Sequence, residues 1–358
     1  MNPWYEKVVG YFENRKNRTG VYQLPSPRSF YEDDEFVAVG HVKIKKQKLE
    51  ERAKQWAEED FEIPEWREPV QYPHDDDDFI QWLGIVTAIN AYHKEPGIGS
   101  IKFYTNWKDK KWTGAFGVSA CVTRAIIEKK IPLLDPYFLH GIKISQMREI
   151  FNVDSNLPLL EKRMQIWKNI ARVLISKYNG QFANLFKEAN YRCFDGGNGI
   201  CERLVEDFPG AYYDKRSLDR TRYDNWLPFH KKALLFLLEY YGRAQSSDTL
   251  PQIKDVESLS VVADCVLPKI LYILEIFKYS PFLRNKISMG EEIEENFPLE
   301  IQIRLATVLA IGKLLEAINQ ERKKLNLSET NMARLYYKLW GAGRNYDGLY
   351  HITETLDY

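Results

Sequence analysis

Residues 157–180 read LPLLEKRMQIWKNIARVLISKYNG, and this stretch sets the fold class. Pro158 sits where a helix tolerates proline, in its opening turn, and Gly180 sits just past the end at Tyr178-Asn179. We read it as one long helix. Downstream the same reading continues, with helices expected at Ile200–Phe208, Pro228–Tyr241 (stopped by Gly242), Pro268–Tyr279, Leu299–Lys323 and Glu329–Trp340. Upstream, Ser145 is placed as the cap of Gln146–Phe151, and Gly117–Glu128 is a small-residue helix able to pack closely. Phe79–Tyr92 is expected to begin at the acidic run Asp75–Asp78, since carboxylates favour a helix N-terminus. We read that run as a solvated cap rather than a metal site, because no further oxygen ligands follow at defined spacing. Lys43–Glu59, where Lys and Glu alternate, is a polar helix.

One segment reads otherwise. In Ser100–Trp112, Ile101, Phe103 and Thr105 alternate, Lys108-Asp109-Lys110 turns, and Trp112 resumes. This predicts a small β-hairpin at about 101–113. The expected architecture is mostly α, a single helical domain with that one hairpin and no βαβ alternation. Residues 1–40 show no clear period and are read as a wrapped extension.

Composition excludes several function classes. Lys and Arg number 50 and Asp and Glu number 50, so a surface built mainly for nucleic-acid phosphates is not expected. Apolar runs such as Ala233–Leu238 and Leu305–Ile311 fall far short of the roughly 20 residues that span a bilayer. The opening Met1-Asn2-Pro3-Trp4-Tyr5-Glu6 has neither the basic region nor the apolar run of a secretory signal. Cys121, Cys193, Cys201 and Cys265 form no Cys-x-x-Cys pair, so a reducing cytoplasm is the expected setting. Aromatic residues reach 14%, enough to build pocket walls that stack a flat ligand as well as a core.

Most familiar motifs fail. Gly97-Ile98-Gly99 and Gly196-Gly197-Asn198-Gly199 follow no strand, and no Gly-Lys-Ser/Thr appears, which argues against a nucleotide-binding loop. The second is read as a plain surface loop, the alternative being amide donors to an anion at the start of helix Ile200–Phe208. His41, His74, His93, His140, His230 and His351 lack ligand spacing. Two candidates survive. Asp264 interrupts the apolar run Val261–Pro268 just before a helix; the plainer reading is an N-terminal cap, and the functional one is a desolvated carboxylate opposing a cationic transition state. Lys231 and Lys232 open an apolar helix, either solvated or completing an anion pocket.

Further segments complete a colinear series with these. They are Thr113-Gly114-Ala115-Phe116 with Cys121-Val122-Thr123-Arg124-Ala125, and Leu157-Pro158-Leu159-Leu160-Glu161-Lys162-Arg163. Phe229-His230-Lys231-Lys232-Ala233 follows, then Val262-Ala263-Asp264 with Leu267-Pro268 and Lys278-Tyr279-Ser280. Glu300-Ile301-Gln302-Ile303-Arg304 and Tyr337-Lys338-Leu339-Trp340 close the series. In this order they resemble the queuosine salvage proteins, the queuosine 5′-phosphate N-glycosidases, from about Phe79 to the C-terminus.

The resemblance implies a helical fold like that of DNA base glycosylases, with an N-terminal extension over 1–78 packed on an N-glycosidase-like domain over 79–358. It implies hydrolysis of the bond between ribose and a 7-deazaguanine base in a free nucleotide, without metal or cofactor. By position Asp264 is the catalytic acid, stabilising the ribosyl cation or orienting water. Lys231 holds the 5′-phosphate with Lys232 assisting. Asn90, Tyr92, His93, Phe116, Val262, Tyr337, Trp340 and Gly341 line the base and sugar pocket.

The departures fall where the base binds. The family's Asn-Phe-x-Phe-Trp is Asn90-Ala91-Tyr92-His93-Lys94 here, and its Asp-Tyr-x-Leu-Trp-Asp is Tyr336-Tyr337-Lys338-Leu339-Trp340-Gly341. Both base-contacting acids are therefore replaced, at Tyr336 and Gly341, while the Phe before the catalytic acid is Val262 and the second acid of the Glu-x-Glu segment is Gln302. Sugar chemistry reads as kept and base recognition as rewritten. Two other classes stand beside this one. Arg216, Arg220, Arg222, Tyr223, Trp226, Lys231 and Lys232 form a basic–aromatic stretch suited to a nucleic-acid base glycosylase or binding protein. A helical interaction protein without catalysis would use Asp264 only as a cap.

Overall fold

The computed structural model describes residues 5–10, 30–32, 34–67, 69–73, 76, 78–97, 99–216, 226–346, 348 and 350–358. Residues 5–10 form a short helix, α1. Strands β1 (Phe30–Glu32), β2 (Phe36–Val39) and β3 (Val42–Lys45) lead directly into α2 (Lys46–Trp56). The helix expected over Lys43–Glu59 therefore starts late. Val42 and Ile44 are buried while Lys43 and Lys45 stay partly exposed, an alternation that belongs to a strand.

The far edge of β3 pairs with β8 (Phe277–Tyr279), which completes a four-stranded antiparallel sheet in the order β1-β2-β3-β8. This sheet adds to the one hairpin that the sequence predicts. It also divides the helix expected over Pro268–Tyr279: α12 covers Val266–Ile273, and Glu275 then turns the chain at φ +59° into β8.

After α3 (Phe79–Ala88) comes the predicted hairpin, β4 (Tyr104–Trp107) and β5 (Lys110–Thr113), with Tyr104 opposite Thr113. Lys108 and Asp109 both have positive φ, 50° and 56°, the geometry of a tight two-residue hairpin turn. The helices α4 (Gly114–Ile127), α5 (Pro136–Gly141), α6 (Ile144–Phe151) and α7 (Leu160–Lys177) follow. Lys143, not Ser145, precedes α6, and its N–H donates to the Gln146 side chain at 2.8 Å. The start of α7 falls at Leu160 because Leu159 adopts φ +56°.

The chain continues through α8 (Phe182–Glu188), α9 (Ile200–Asp207), α10 (Pro209–Tyr212), the short ladder β6 (Lys215–Arg216) with β7 (Leu227–Pro228), and α11 (Lys231–Gln245). The glycine loop before α9 closes on itself. The Glu202 carboxylate accepts from the N–H groups of Asp195 and Gly199, both at 2.9 Å, which takes the donors an anion would have used. Last come α13 (Pro281–Ser288), α14 (Pro298–Lys324) and α15 (Met332–Asn345).

Two helices are buried on every face, α11 from Lys231 to Ala244 and α14 from Leu299 to Gly312. Such helices form the centre of a helical core. α3 packs on α11, α2 on α14, and α12 on α15. The acidic run before α3 is not a solvated cap. Asp78 makes no side-chain cap bond, and Asp76 pairs with Arg243 at 2.5 Å and Arg67 at 3.3 Å; Asp75 and Asp77 lie outside the described residues.

Gly242 is likewise no helix stop. It lies inside α11, where a Cβ would stand 2.5 Å from the Pro64 carbonyl oxygen and 2.7 Å from the Trp66 ring. The glycine permits the 64–66 segment to lie directly on the helix. Gly242→Ala is expected to lower stability by about 1–3 kcal/mol through overpacking. The check is a reduced urea midpoint at unchanged m value.

Candidate active site

The site is built from the start of α11. Asp214 is completely buried, and Arg304 grips its carboxylate with two N–H groups at 2.8 and 2.5 Å, while Arg216 stands at 3.3 Å. Burial by itself raises the Asp214 pKa, but the two guanidinium groups outweigh it and hold the carboxyl well below its usual range. This anion receives the backbone N–H of Lys231 at 3.2 Å, the first residue of α11. The Asp214 N–H donates to His230 Nδ1 at 3.0 Å, and burial lowers the His230 pKa to about 3, so the ring is a neutral acceptor.

Lys231 and Lys232 are buried rather than solvated, and each meets its own carbonyl. The Lys231 ammonium donates to the Asn90 carbonyl at 2.8 Å and the Lys232 ammonium to the Ala88 carbonyl at 2.9 Å. Both cations thus meet carbonyls at the C-terminal end of α3. One residue along a helix is a rotation of about 100°. That rotation puts Lys231 on the wall of a cavity and leaves Lys232 off it. Burial lowers both lysine pKa values, that of Lys232 to about 8.

Arg163 shapes the neighbouring segment. Buried on α7, it donates to the carbonyls of Ile89, of Ala91 at 2.7 Å, of Tyr92 at 2.9 Å, and of Pro158 at 2.8 Å. Tyr92 turns there with φ +47°. The turn brings Asn90, Tyr92 and His93 onto the cavity wall. The Asn90 Oδ1 and His93 Nε2 atoms are buried there without a hydrogen-bond partner.

Asp264 makes the cap bonds of its plainer reading and also borders the cavity. One carboxylate oxygen accepts from the N–H groups of Val266 at 2.8 Å and Leu267 at 3.0 Å, capping α12. The other accepts the Tyr336 hydroxyl at 3.0 Å, and the residue lines the cavity. Burial raises its pKa, while Lys231, the Leu267 N–H and Tyr336 oppose the rise.

An aromatic box closes one side. Trp66 stacks on Phe116 with ring centroids 6.2 Å apart, and Trp340 lies 6.4 Å from Trp66 and 5.8 Å from Phe116. The Trp66 indole N–H donates to Tyr337 Oη at 2.9 Å, and Tyr337 donates in turn to the Leu238 carbonyl at 2.6 Å. The Arg344 guanidinium lies 3.9 Å over the Phe116 ring.

Of the residues singled out from sequence, Asp264, Lys231, Asn90, Tyr92, His93, Phe116, Tyr337 and Trp340 share this cavity. Lys232, Val262 and Gly341 do not line it. Val262 is buried in the core, and Gly341, one helical step past Trp340, faces an outer depression beside Asp60 and Phe61. Of the basic–aromatic stretch, Arg216 pairs with the buried Asp214 and Glu300, and Arg220, Arg222 and Tyr223 lie outside the described residues.

Sequence reasoning missed Trp66, Lys102, Glu239, Arg344 and the C-terminal Tyr350–Thr353 and Tyr358, and it placed Tyr336 only as a lost acid. The C-terminal residues carry no period or motif. Glu239 did carry a signal, the same one that marked Asp264: an acid within an apolar run.

Replacing Arg163 tests how this loop is held. Arg163→Met removes the donors to buried carbonyls and is expected to cost about 3 kcal/mol or more. Chemical denaturation measures it, and a loss below about 1 kcal/mol would show that the turn holds without the guanidinium.

Comparison with known proteins identifies a family. The family described as "Queuosine salvage protein" matches residues 70–356. A queuosine 5′-phosphate N-glycosylase/hydrolase of Sphaerobacter thermophilus is 24% identical over 299 residues, 82% of this chain and 86% of the relative. Proteins of the same description in Schizosaccharomyces pombe and Mus musculus are 25% and 24% identical, covering 84% and 76% of this chain and 83% and 78% of the relatives. With its matched region taking in α3 through the C-terminal wall of the cavity, the chain belongs to the queuosine salvage protein family.

Proposed function

We propose that this protein is an N-glycosidase that hydrolyses the base–ribose bond of a nucleoside 5′-monophosphate bearing a 7-deazaguanine-type base, with queuosine 5′-phosphate as the first candidate. The observation that carries the reading is the Asp264 carboxylate, buried in the cavity and aimed by the N–H groups of Val266 and Leu267 and the hydroxyl of Tyr336.

As the C1′–N bond breaks, its electron pair leaves with the base and positive charge builds on the sugar. A fixed carboxylate in a water-poor site opposes that charge strongly. Water oxygen then bonds to C1′, the base takes up a proton, and ribose 5-phosphate and the free base result. Lys231 is a cavity-lining cation suited to attract the 5′-phosphate, and the aromatic box of Trp66, Phe116 and Trp340 suits a flat base.

The nucleic-acid alternative loses support, because Arg216, Lys231 and Lys232 are all buried. We further propose residues 1–78 as an extension packed on the domain over 79–358. The pairing of β3 with β8 and the seat of Trp66 on α11 support that division. No helix among the described residues is long and apolar enough to cross a membrane, and the four cysteines are free thiols, which supports a cytoplasmic setting.

Base release from a panel of 5′-monophosphates, queuosine 5′-phosphate included, is the direct test by mass spectrometry. Wild type is expected to release a 7-deazaguanine-type base, and Asp264→Ala to lose about 100-fold or more in rate. Lys231→Met should raise KM for the monophosphate more than it lowers kcat. Release from no nucleotide by folded wild type would sink the reading.

Tyr336→Phe gives a separate check. Its hydroxyl favours the charged carboxylate, so its removal raises the Asp264 pKa. The acid limb of the kcat/KM profile is then expected to move up by about one pH unit. An unmoved limb would mean that Tyr336 does not tune the acid.

A further inference from the structure

Glu239 stands on α11 two turns beyond Lys231, 6% exposed, and it lines the cavity beside Leu235, Trp66 and Tyr337. Among the described residues nothing donates a hydrogen bond to its carboxyl. The nearby donors are spent elsewhere. The Lys231 ammonium is on the Asn90 carbonyl, the Tyr336 hydroxyl is on Asp264, and the Tyr337 hydroxyl is on the Leu238 carbonyl. Burial raises the Glu239 pKa to about 8 against the pull of Lys231.

A buried acid without a donor is costly in a folded protein, and such groups gather at functional sites. Glu239 shares the cavity with the aromatic box and acts electrostatically on the Tyr337 hydroxyl, which accepts the Trp66 indole N–H; a ring stacked on such side chains turns its edge, not its face, to the groups around it. Two N–H donors lying side by side, as N1–H and the 2-amino group of a guanine-type ring do, favour the charged form of such a carboxyl and match its two oxygens.

We propose that Glu239 is the specificity-determining residue of this site, accepting hydrogen bonds from N1–H and the 2-amino group and so selecting guanine-type bases over those without the 2-amino group. The assignment rests on the reading that the cavity takes the base of a nucleotide. It does not require bond cleavage.

The test is calorimetric binding of two free bases, 7-deazaguanine and 7-deazahypoxanthine, to the full chain. Wild type should bind the 2-amino base at least about tenfold more tightly. Glu239→Gln should shrink that preference to about threefold or less, with the affinity for 7-deazahypoxanthine little changed. Equal affinities in wild type, no binding of either base, or a preference that survives Glu239→Gln would each overturn the proposal. Because binding is read apart from hydrolysis, a wild type that shows the preference yet cleaves no nucleotide would sink the N-glycosidase reading and leave the role of Glu239 supported.

Discussion

The structure depends on one buried carboxylate. Asp214 joins Arg304 of α14 and Arg216 of β6 to the first amide of α11. Arg216 extends the cluster to Glu295, Glu300 and Asp357. Burying this many charges costs desolvation, so the cluster contributes geometry more than net stability. What it ties together is specific. α11 supplies Lys231 and Glu239, and Asp357 belongs to the C-terminal segment that supplies His351, Thr353 and Tyr358. Two cavity walls are thus referred to the same anion.

A second constraint meets α11 at the same first turn. The C-terminal end of α3 presents carbonyls at Ala88, Ile89, Asn90, Ala91 and Tyr92, and three cations answer them: Lys232, Arg163 and Lys231. Helix ends leave carbonyls without intrahelical donors, and in the interior they must be met by side chains. The arrangement explains how two lysines come to sit at the N-terminus of α11, where the helix dipole disfavours them. They belong electrostatically to the end of another helix. Of the two, Lys231 also borders the cavity.

Some of this was legible in the chain. Asp264 stood out as an acid in an apolar run, and that contrast depends only on composition. The helix from Leu160 and the hairpin over Tyr104–Thr113 follow from local rules of proline, glycine and alternation. Gly242 misled because a glycine near a helix end has two causes, a stop or a close approach, and only Pro64 and Trp66 lying against it tell them apart. β3 and β8 were too short to read as strands, since each gains its definition from the other. The expected loss of an aromatic wall at Ala91 and His93 did not anticipate Trp66, which comes from a loop more than 20 residues earlier.

The sequence by itself determined the mostly helical class, the family resemblance, and the kinds of group available for chemistry: an acid in an apolar run, paired lysines at a helix start and many aromatic rings. These are properties of local pattern and residue type. Tertiary structure decided which members of that set meet. It separated Lys231 from Lys232 and Trp340 from Gly341, and it brought Glu239, Trp66 and the C-terminal segment to Asp264. The physical reason is direction. A single helical step rotates a side chain by about 100°, and only the packing of α3, α11, α12 and α15 around one cavity determines which direction faces it.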